Sequence, residues 1–459
     1  MTRSAALFVL ASLLSVPSLC QDGFVRVSNR QLTVEGRPYY YIGANYWYGG
    51  LLGLVKDPAR GVQRLRKELD FLSSKGVTNL RVMVGAEGSG PINGVPRVAP
   101  PLQPEKGVFD TAQLRGLDRL LAEMGKRHMK AVLFLSNNWE WSGGFLQYLN
   151  WNGRLADSVL RRKLEWDEMR DVISGFYSCQ GCIEDYRQQV SLVLGRVNTV
   201  TGKRYTDDPS IMAWELANEP RPMRPAANDA YARWISGMAA FVKQKDRNHL
   251  VTIGHEGSIG TESMDLYEAV HADPNIDYLT IHIWPKNWAW FADTSIQRDL
   301  PQVIAKTDAY IASHRAVAQR LRKPLVLEEF GLPRNNQAFQ PASATGLRDA
   351  YYRFVFSQWQ RDVRSGGVIA GANFWAFGGQ ARPVPGQVYW AEGDDYMGDP
   401  PMEEQGLNTV FDSDASTWAI ISSFTGNRNP AAPGTRARKR VPVTRNESRL
   451  LPHRVAAKS

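Results

Sequence analysis

Between Tyr39 and Phe377, short apolar runs of strand length alternate with longer stretches whose apolar residues recur every three or four positions. The short runs fit strands buried on both faces, and the longer stretches fit amphipathic helices. Eight runs qualify as strands: 39–43, 79–84, 130–135, 211–216, 250–253, 278–283, 325–329 and 370–374. After the first of them, Val62, Leu65, Leu69 and Leu72 mark one face of a helix, and Gly76 follows as its C-terminal stop. The same spacing predicts helices over 114–124, 186–197 and 231–242. Alternating strand–helix units predict an α/β fold, a (β/α)8 TIM barrel whose long βα loops form a substrate cleft. The connections 136–178 and 375–414 are long enough to build the walls of that cleft.

Barrels of this kind carry their chemistry at the C-terminal ends of the strands. There the chain places Arg81, Asn137, Asn138, Asn218, Glu219, His255, Glu256, His282, Glu329 and Trp375. Two runs end in acid: Ile211-Met-Ala-Trp-Glu-Leu-Ala-Asn218-Glu219, closed by Pro220, and Pro324-Leu-Val-Leu-Glu328-Glu329-Phe330-Gly331. Because side chains alternate along a strand, only one of Glu328 and Glu329 is expected to point inward, and Glu329 is the choice. Glu219 and Glu329 can then flank a glycosidic bond, one protonating the leaving oxygen and the other stabilising the anomeric centre. Retention of configuration requires the two carboxyls to stand roughly 5 to 5.5 Å apart, and inversion more than about 6.5 Å. Asn218 is positioned to contact the sugar hydroxyl next to the reacting carbon. Arg81 reads either as an ion pair low in the barrel or as the cation that keeps a nucleophilic carboxylate ionised. His282 reads either as a site residue or as a satisfied core histidine.

The formal charge of +9 points to an acidic partner until it is located. From Thr425 onward there are nine Lys and Arg against one acid, Glu447, and Arg3 lies in an apolar leader, so residues 21–424 are neutral. A neutral body argues against nucleic acid as partner. The tail, 425–459, lacks apolar periodicity and reads as a disordered basic extension, with adhesion to an anionic surface as the alternative. Residues 1–20 read as a signal peptide, cleaved near Cys20 and Gln21, which implies a secreted or periplasmic protein; a lipid anchor on Cys20 is the competing reading. The apolar stretch is too short to span a membrane. Residues 21–424 are then the catalytic domain. In an exported chain Cys179 and Cys182 read as one local disulfide, because no second Cys pair or His cluster completes a zinc site. Fourteen Trp and seventeen Tyr supply more flat aromatic surface than a core requires, suited to stacking on sugar rings.

With these residues in view, the chain resembles glycoside hydrolase family 5 (clan A), and within it the secreted endo-β-1,4-mannanases. The markers are Asn-Leu-Arg81-Val, Ser-Asn137-Asn138-Trp139, Trp-Glu-Leu-Ala-Asn218-Glu219-Pro-Arg221, Thr-Ile-His282-Ile-Trp284-Pro, Leu-Glu-Glu329-Phe-Gly and Asn-Phe-Trp375, spread from Phe24 to about Phe424. The resemblance implies Glu219 as general acid/base and Glu329 as nucleophile in a retaining double displacement. It implies that Arg81 and His282 orient the carboxylates, that Asn138, Asn218 and Arg221 contact sugar, that Trp139 is an aromatic platform and that Trp375 floors the subsite before the scissile bond. Where many members carry His-x-Tyr this chain has His282-Ile-Trp284, so an indole N–H replaces a tyrosine hydroxyl as the possible donor to the nucleophile. The implied substrate is β-1,4-mannan, glucomannan or galactomannan, taken by a monomer without metal or organic cofactor. An exo-acting mannobiohydrolase and a β-1,4-glucanase are the enzymatic alternatives; a carbohydrate-binding protein without catalysis is the alternative of another class.

Overall fold

The computed structural model describes residues 23–54 and 57–426; the expected signal segment and nearly all of the basic tail lie outside the described residues. An antiparallel meander comes first, β1 (Val25–Ser28), β2 (Gln31–Val34) and β3 (Arg37–Pro38). Its first turn is the pair Asn29-Arg30, both at positive φ, which matches the twist of a two-residue hairpin. Val25 and Leu32 close the N-terminal end of the barrel, in one cluster with Tyr41, Val132, Met212, Leu250, Tyr278 and Val326. The meander was not anticipated, because four-residue strands carry too few alternating positions to stand out.

The barrel strands are β4 (Tyr41–Asn45), β5 (Asn79–Met83), β6 (Lys130–Phe134), β7 (Ile211–Glu215), β8 (Leu250–Thr252), β9 (Leu279–Ile283), β10 (Leu325–Phe330) and β11 (Ile369–Phe374). All eight expected runs are strands, paired in parallel in the order β8-β7-β6-β5-β4-β11-β10-β9. The first begins two residues later than expected, since the Tyr39 N–H donates to Leu32 O of the meander at 2.7 Å. Between β8 and β9 the barrel closes mostly through side chains. The Val251 N–H donates to the Asp277 carboxylate at 2.6 Å, and the Thr280 hydroxyl bridges His255 N and O at 2.7 and 3.0 Å. Two backbone bonds, Asp277 N to Val251 O and His282 N to Glu256 O, complete the seam.

The helices follow from the same pattern. Helix Pro58–Ser74 is capped by Asp57, whose carboxylate accepts from Arg60 N, and it buries Val62, Leu65, Leu69 and Leu72. Gly76, at φ +75°, takes the left-handed conformation that ends it. Helix Gln180–Leu194 starts earlier and stops earlier than expected. Cys179 caps it and is joined to Cys182 by a disulfide. Of the two long connections, 136–178 carries helices Gly144–Trp151, Asp157–Arg161 and Trp166–Ser174. The other holds only the short strands β12 (Phe377–Gly379) and β13 (Val410–Phe411). It is fixed by buried Asp399, whose carboxylate accepts from the N–H groups of Gly406, Asn408 and Thr409 and from the Thr409 hydroxyl. Among the described residues no helix is long and apolar enough to cross a membrane.

Candidate active site

Glu219 leaves the end of β7 and Glu329 sits near the end of β10, which brings them to the same mouth of the barrel. One carboxylate oxygen of each and one ring nitrogen of His282 lie within 4.8 Å of one another. Glu219 is 7% and Glu329 2% exposed. Glu219 adopts φ +51°, a conformation unusual outside glycine, held by its N–H donating to Gly254 O at 2.9 Å. Its carboxylate meets His282 Nδ1 at 2.6 Å and accepts a short bond from the Trp139 indole N–H. Glu329 accepts from the Trp284 indole N–H at 2.9 Å and from the Arg81 guanidinium. Space for Trp284 exists because residue 331 is glycine: a Cβ there would lie 2.6 Å from the ring.

Arg81, third residue of β5, is fully buried and touches both a carboxylate of β7 and Glu329. It forms a fork with Glu215 at 2.6 and 2.8 Å, donates to Asn218 Oδ1 at 2.7 Å and to Asn45 Oδ1 at 3.1 Å, and contacts Glu329. Glu215 was missed by the sequence reading. An acid inside an otherwise apolar strand four residues before Glu219 was the available signal.

The expectation that only one of Glu328 and Glu329 faces inward is overturned. β10 carries a bulge opposite β9: Leu327 pairs with Ile281 and Glu329 with His282, so Glu328 has no counterpart and the alternation is broken. Both side chains enter the barrel, with Glu328 Oε2 at 3.4 Å from His282 Nε2 and 3.8 Å from Arg81 Nε.

A cavity of about 380 Å³ opens over the pair, lined by Trp139, Trp166, Arg221, Glu256, Trp284 and Trp375 among others. Trp139 presents its N–H edge to Glu219 while its face covers Arg221, whose Cζ is 4.9 Å from the ring, and it stacks on Trp166 at 6.2 Å. Arg221 is forked to buried Glu256. Trp375 stands edge-on to Trp284 at 5.7 Å with an unpartnered indole N–H. Asn218 reaches the cavity, its amide also donating to Asn137 at 3.0 Å. Asn138 does not line it: fully buried, it accepts from Arg221 N at 3.3 Å and steadies the wall from behind. From the 375–414 connection Met402 and half-buried Glu403 also line the cavity, neither of them foreseen as site residues.

The electrostatics separate the two acids. Burial raises both carboxyls, and at Glu329 the neighbouring Glu219 raises it further. At Glu329 the Arg81 guanidinium and the Trp284 N–H oppose burial by direct contact, whereas Glu219 is touched only by neutral donors, with Arg221 acting through space. Burial and the Arg81 cation hold His282 neutral, its pKa far below the ordinary value.

Two buried carboxyls whose oxygens approach within 4.8 Å, walled by indoles, form a site for sugar chemistry. Comparison with known proteins agrees. A family model described as GH family 5 β-mannosidase-like matches residues 22–430. The chain belongs to that family, and is a glycoside hydrolase. It is 32% identical over 419 residues to mannan endo-1,4-beta-mannosidase 1 of Oryza sativa subsp. japonica, covering 87% of this chain and 85% of that one. It is similar to the crystal structure of a glycoside hydrolase family 5 mannosidase from Rhizomucor miehei, with a TM-score of 0.80 and 31% identity over 89% of this chain and 98% of the other. A mutant of that mannosidase, solved with mannosyl-fructose, gives a TM-score of 0.79, 31% identity and the same coverage.

Proposed function

We propose that this glycoside hydrolase is secreted and cleaves β-1,4-mannosidic bonds within mannan, glucomannan or galactomannan, with retention of configuration. The observation that carries the reading is the approach of Glu219 to Glu329 within 4.8 Å, below the roughly 6.5 Å that an inverting pair needs to seat a water. Glu329, held as an anion by Arg81 and Trp284, attacks the anomeric carbon while Glu219 gives its proton to the leaving oxygen. A glycosyl ester on Glu329 results. Glu219, now a base, takes a proton from water, which attacks the ester and restores Glu329. Arg221, Trp139 and Trp375 line the sugar path, and Asn218, oriented by Arg81 and Asn137, faces the reacting ring. The substrate assignment is supported by the mannan-cleaving relative. The family match over 22–430 supports residues 21–424 as the catalytic domain, with 1–20 proposed as the signal peptide and 425–459 as a basic tail.

A second reading, attack near a chain end, is favoured by Met402 and Glu403 standing over the cavity from the 375–414 connection, and by its modest volume of about 380 Å³. Both readings are tested on mannohexaose with the purified chain from Gln21. A spread of midchain products supports endo action. Mannobiose or mannose alone from the first time point supports the second reading and refutes the first. Hydrolysis of carboxymethyl-cellulose with none of mannan refutes both.

A further inference from the structure

The bulge in β10 brings into the barrel a third carboxyl that the mechanism above does not use. Glu328 is 1% exposed, with Oε2 at 3.4 Å from His282 Nε2 and with Oε1 unpartnered. Around it stand Arg81 from β5, Glu215 from β7, Tyr41 from β4, Thr280 and Tyr278 beside or on β9, and its neighbour Glu329. Among the described residues Arg81 is the one guanidinium near these three carboxyls. It touches Glu215 and Glu329 within hydrogen-bond distance and reaches Glu328 only at 3.8 Å. A second negative charge beside that pair, with one oxygen bare, carries a desolvation cost that Arg81 at 3.8 Å and a bond from Thr280 offset only in part. Burial and the neighbouring acids accordingly push the Glu328 carboxyl well up. Neutral Glu328 is a hydrogen-bond donor with two acceptors beside it, the Glu215 carboxylate, whose two oxygens Arg81 already holds, and His282 Nε2.

Its target has only one arrangement that suits the site. His282 is a neutral imidazole, so one ring nitrogen donates and the other accepts. Nδ1 faces Glu219 Oε1 at 2.6 Å and Glu329 Oε2 at 3.3 Å. A lone pair on Nδ1 would face two carboxyls and would draw the Glu219 proton onto the imidazole side, away from the leaving oxygen. A proton on Nδ1 serves both carboxylates and leaves the Glu219 proton free for the substrate.

We propose that Glu328 is a positioning residue that fixes the His282 tautomer: its O–H donates to Nε2, so that Nδ1–H is shared between Glu219 and Glu329. The role rests on the assignment of Glu219 as acid/base. It acts through His282 and never touches substrate, and its effect is on proton donation.

The test compares E328Q and E328L on two substrates, mannohexaose and a 2,4-dinitrophenyl β-mannobioside whose leaving group needs no proton. Glutamine keeps a donor toward Nε2, so E328Q retains kcat/KM within about threefold on both. Leucine removes the donor, so E328L loses about 30-fold or more on mannohexaose and under fivefold on the activated substrate, with KM little changed. Equal losses on both substrates, no loss in E328L, or a loss in E328Q matching that of E328L would overturn the proposal. Nitrogen-15 spectra of the wild type, with His282 assigned through an H282N variant, supply a readout independent of how the variants fold. Unprotonated Nε2 supports the role, and protonated Nε2 refutes it. E219A on the same substrates serves as the control: equal losses there refute the acid/base assignment itself.

Discussion

Replacing Trp284 by phenylalanine removes one hydrogen bond from the nucleophile and little else. The indole N–H donates to Glu329 Oε2 at 2.9 Å in a site where Glu329 is 2% exposed. A phenyl ring retains the contact with Trp375 and fits beside Gly331, so packing survives. A hydrogen bond to a charged group is worth about 1.5 to 3 kcal/mol, which at about 1.4 kcal/mol per decade is a loss of roughly 10- to 150-fold in kcat/KM. The same energy acts on titration. The N–H stabilises the anion over the acid, so its removal raises the Glu329 pKa by about one unit for each 1.36 kcal/mol. Glu329 must be ionised to attack, and the acid limb of the kcat/KM profile should therefore move up by about one to two units. W284Y places a hydroxyl on the same side and should recover most of the rate. The assay is kcat/KM on mannohexaose from pH 4 to 8 for wild type, W284F and W284Y. A W284F enzyme within threefold of wild type with an unmoved acid limb would falsify this account of Trp284.

Other substitutions probe neighbouring parts of the site. In G331A the new methyl would meet Trp284 ring carbons at 2.6 and 2.9 Å, so the indole must swing off Glu329. Kinetics should reproduce much of the W284F loss, and full activity would show that the ring has another resting place. Burial depresses His314 to about 4 and His271 to about 3, so the unfolded chain binds their protons more readily. Stability from these residues is complete above pH 6.5 and is lost as pH falls toward 4, by about 3 kcal/mol for His314 alone. Urea midpoints at pH 7.5, 6, 5 and 4.5 should show that slope in wild type and a shallower one in H314Q; parallel curves would rule the histidine out. D399A removes the acceptor that ties together 399–409 and should raise KM with kcat nearly unchanged, since Met402 and Glu403 line the cavity without touching the reacting pair. A fall in kcat with constant KM would contradict that placement.

The barrel was legible because parallel strands buried on both faces read as unbroken apolar runs, and acids at their ends stand out against them. Glu219, Glu329, Arg81 and His282 were found in that way and do converge. What escaped was whatever departs from regular geometry. The strict alternation that selected Glu329 over Glu328 fails at the bulge, a feature set by the pairing of β10 with β9 and invisible along one strand. Trp139 was read as a flat platform, but its orientation depends on the 136–178 connection, and its edge is what reaches Glu219. Asn138 looked equivalent to its neighbours, yet it points into the wall. Met402 and Glu403 lie in a stretch almost without secondary structure, where no periodicity predicts what a side chain faces.

The seam between β8 and β9 gives the barrel a direction of failure. Seven junctions are laced by backbone ladders, whereas this one depends on the side chains of Thr252, Asp277 and Thr280 and on two isolated backbone bonds. Under denaturant or heat a closed ring parts first at its weakest stave, and this stave carries His282 on one side and the Glu256 brace of Arg221 on the other. The molecule is thus built to lose its catalytic alignment before its shape. Amide exchange at Val251 and His282 should be the early reporter of that parting, while the ladders around β5 and β6 still hold.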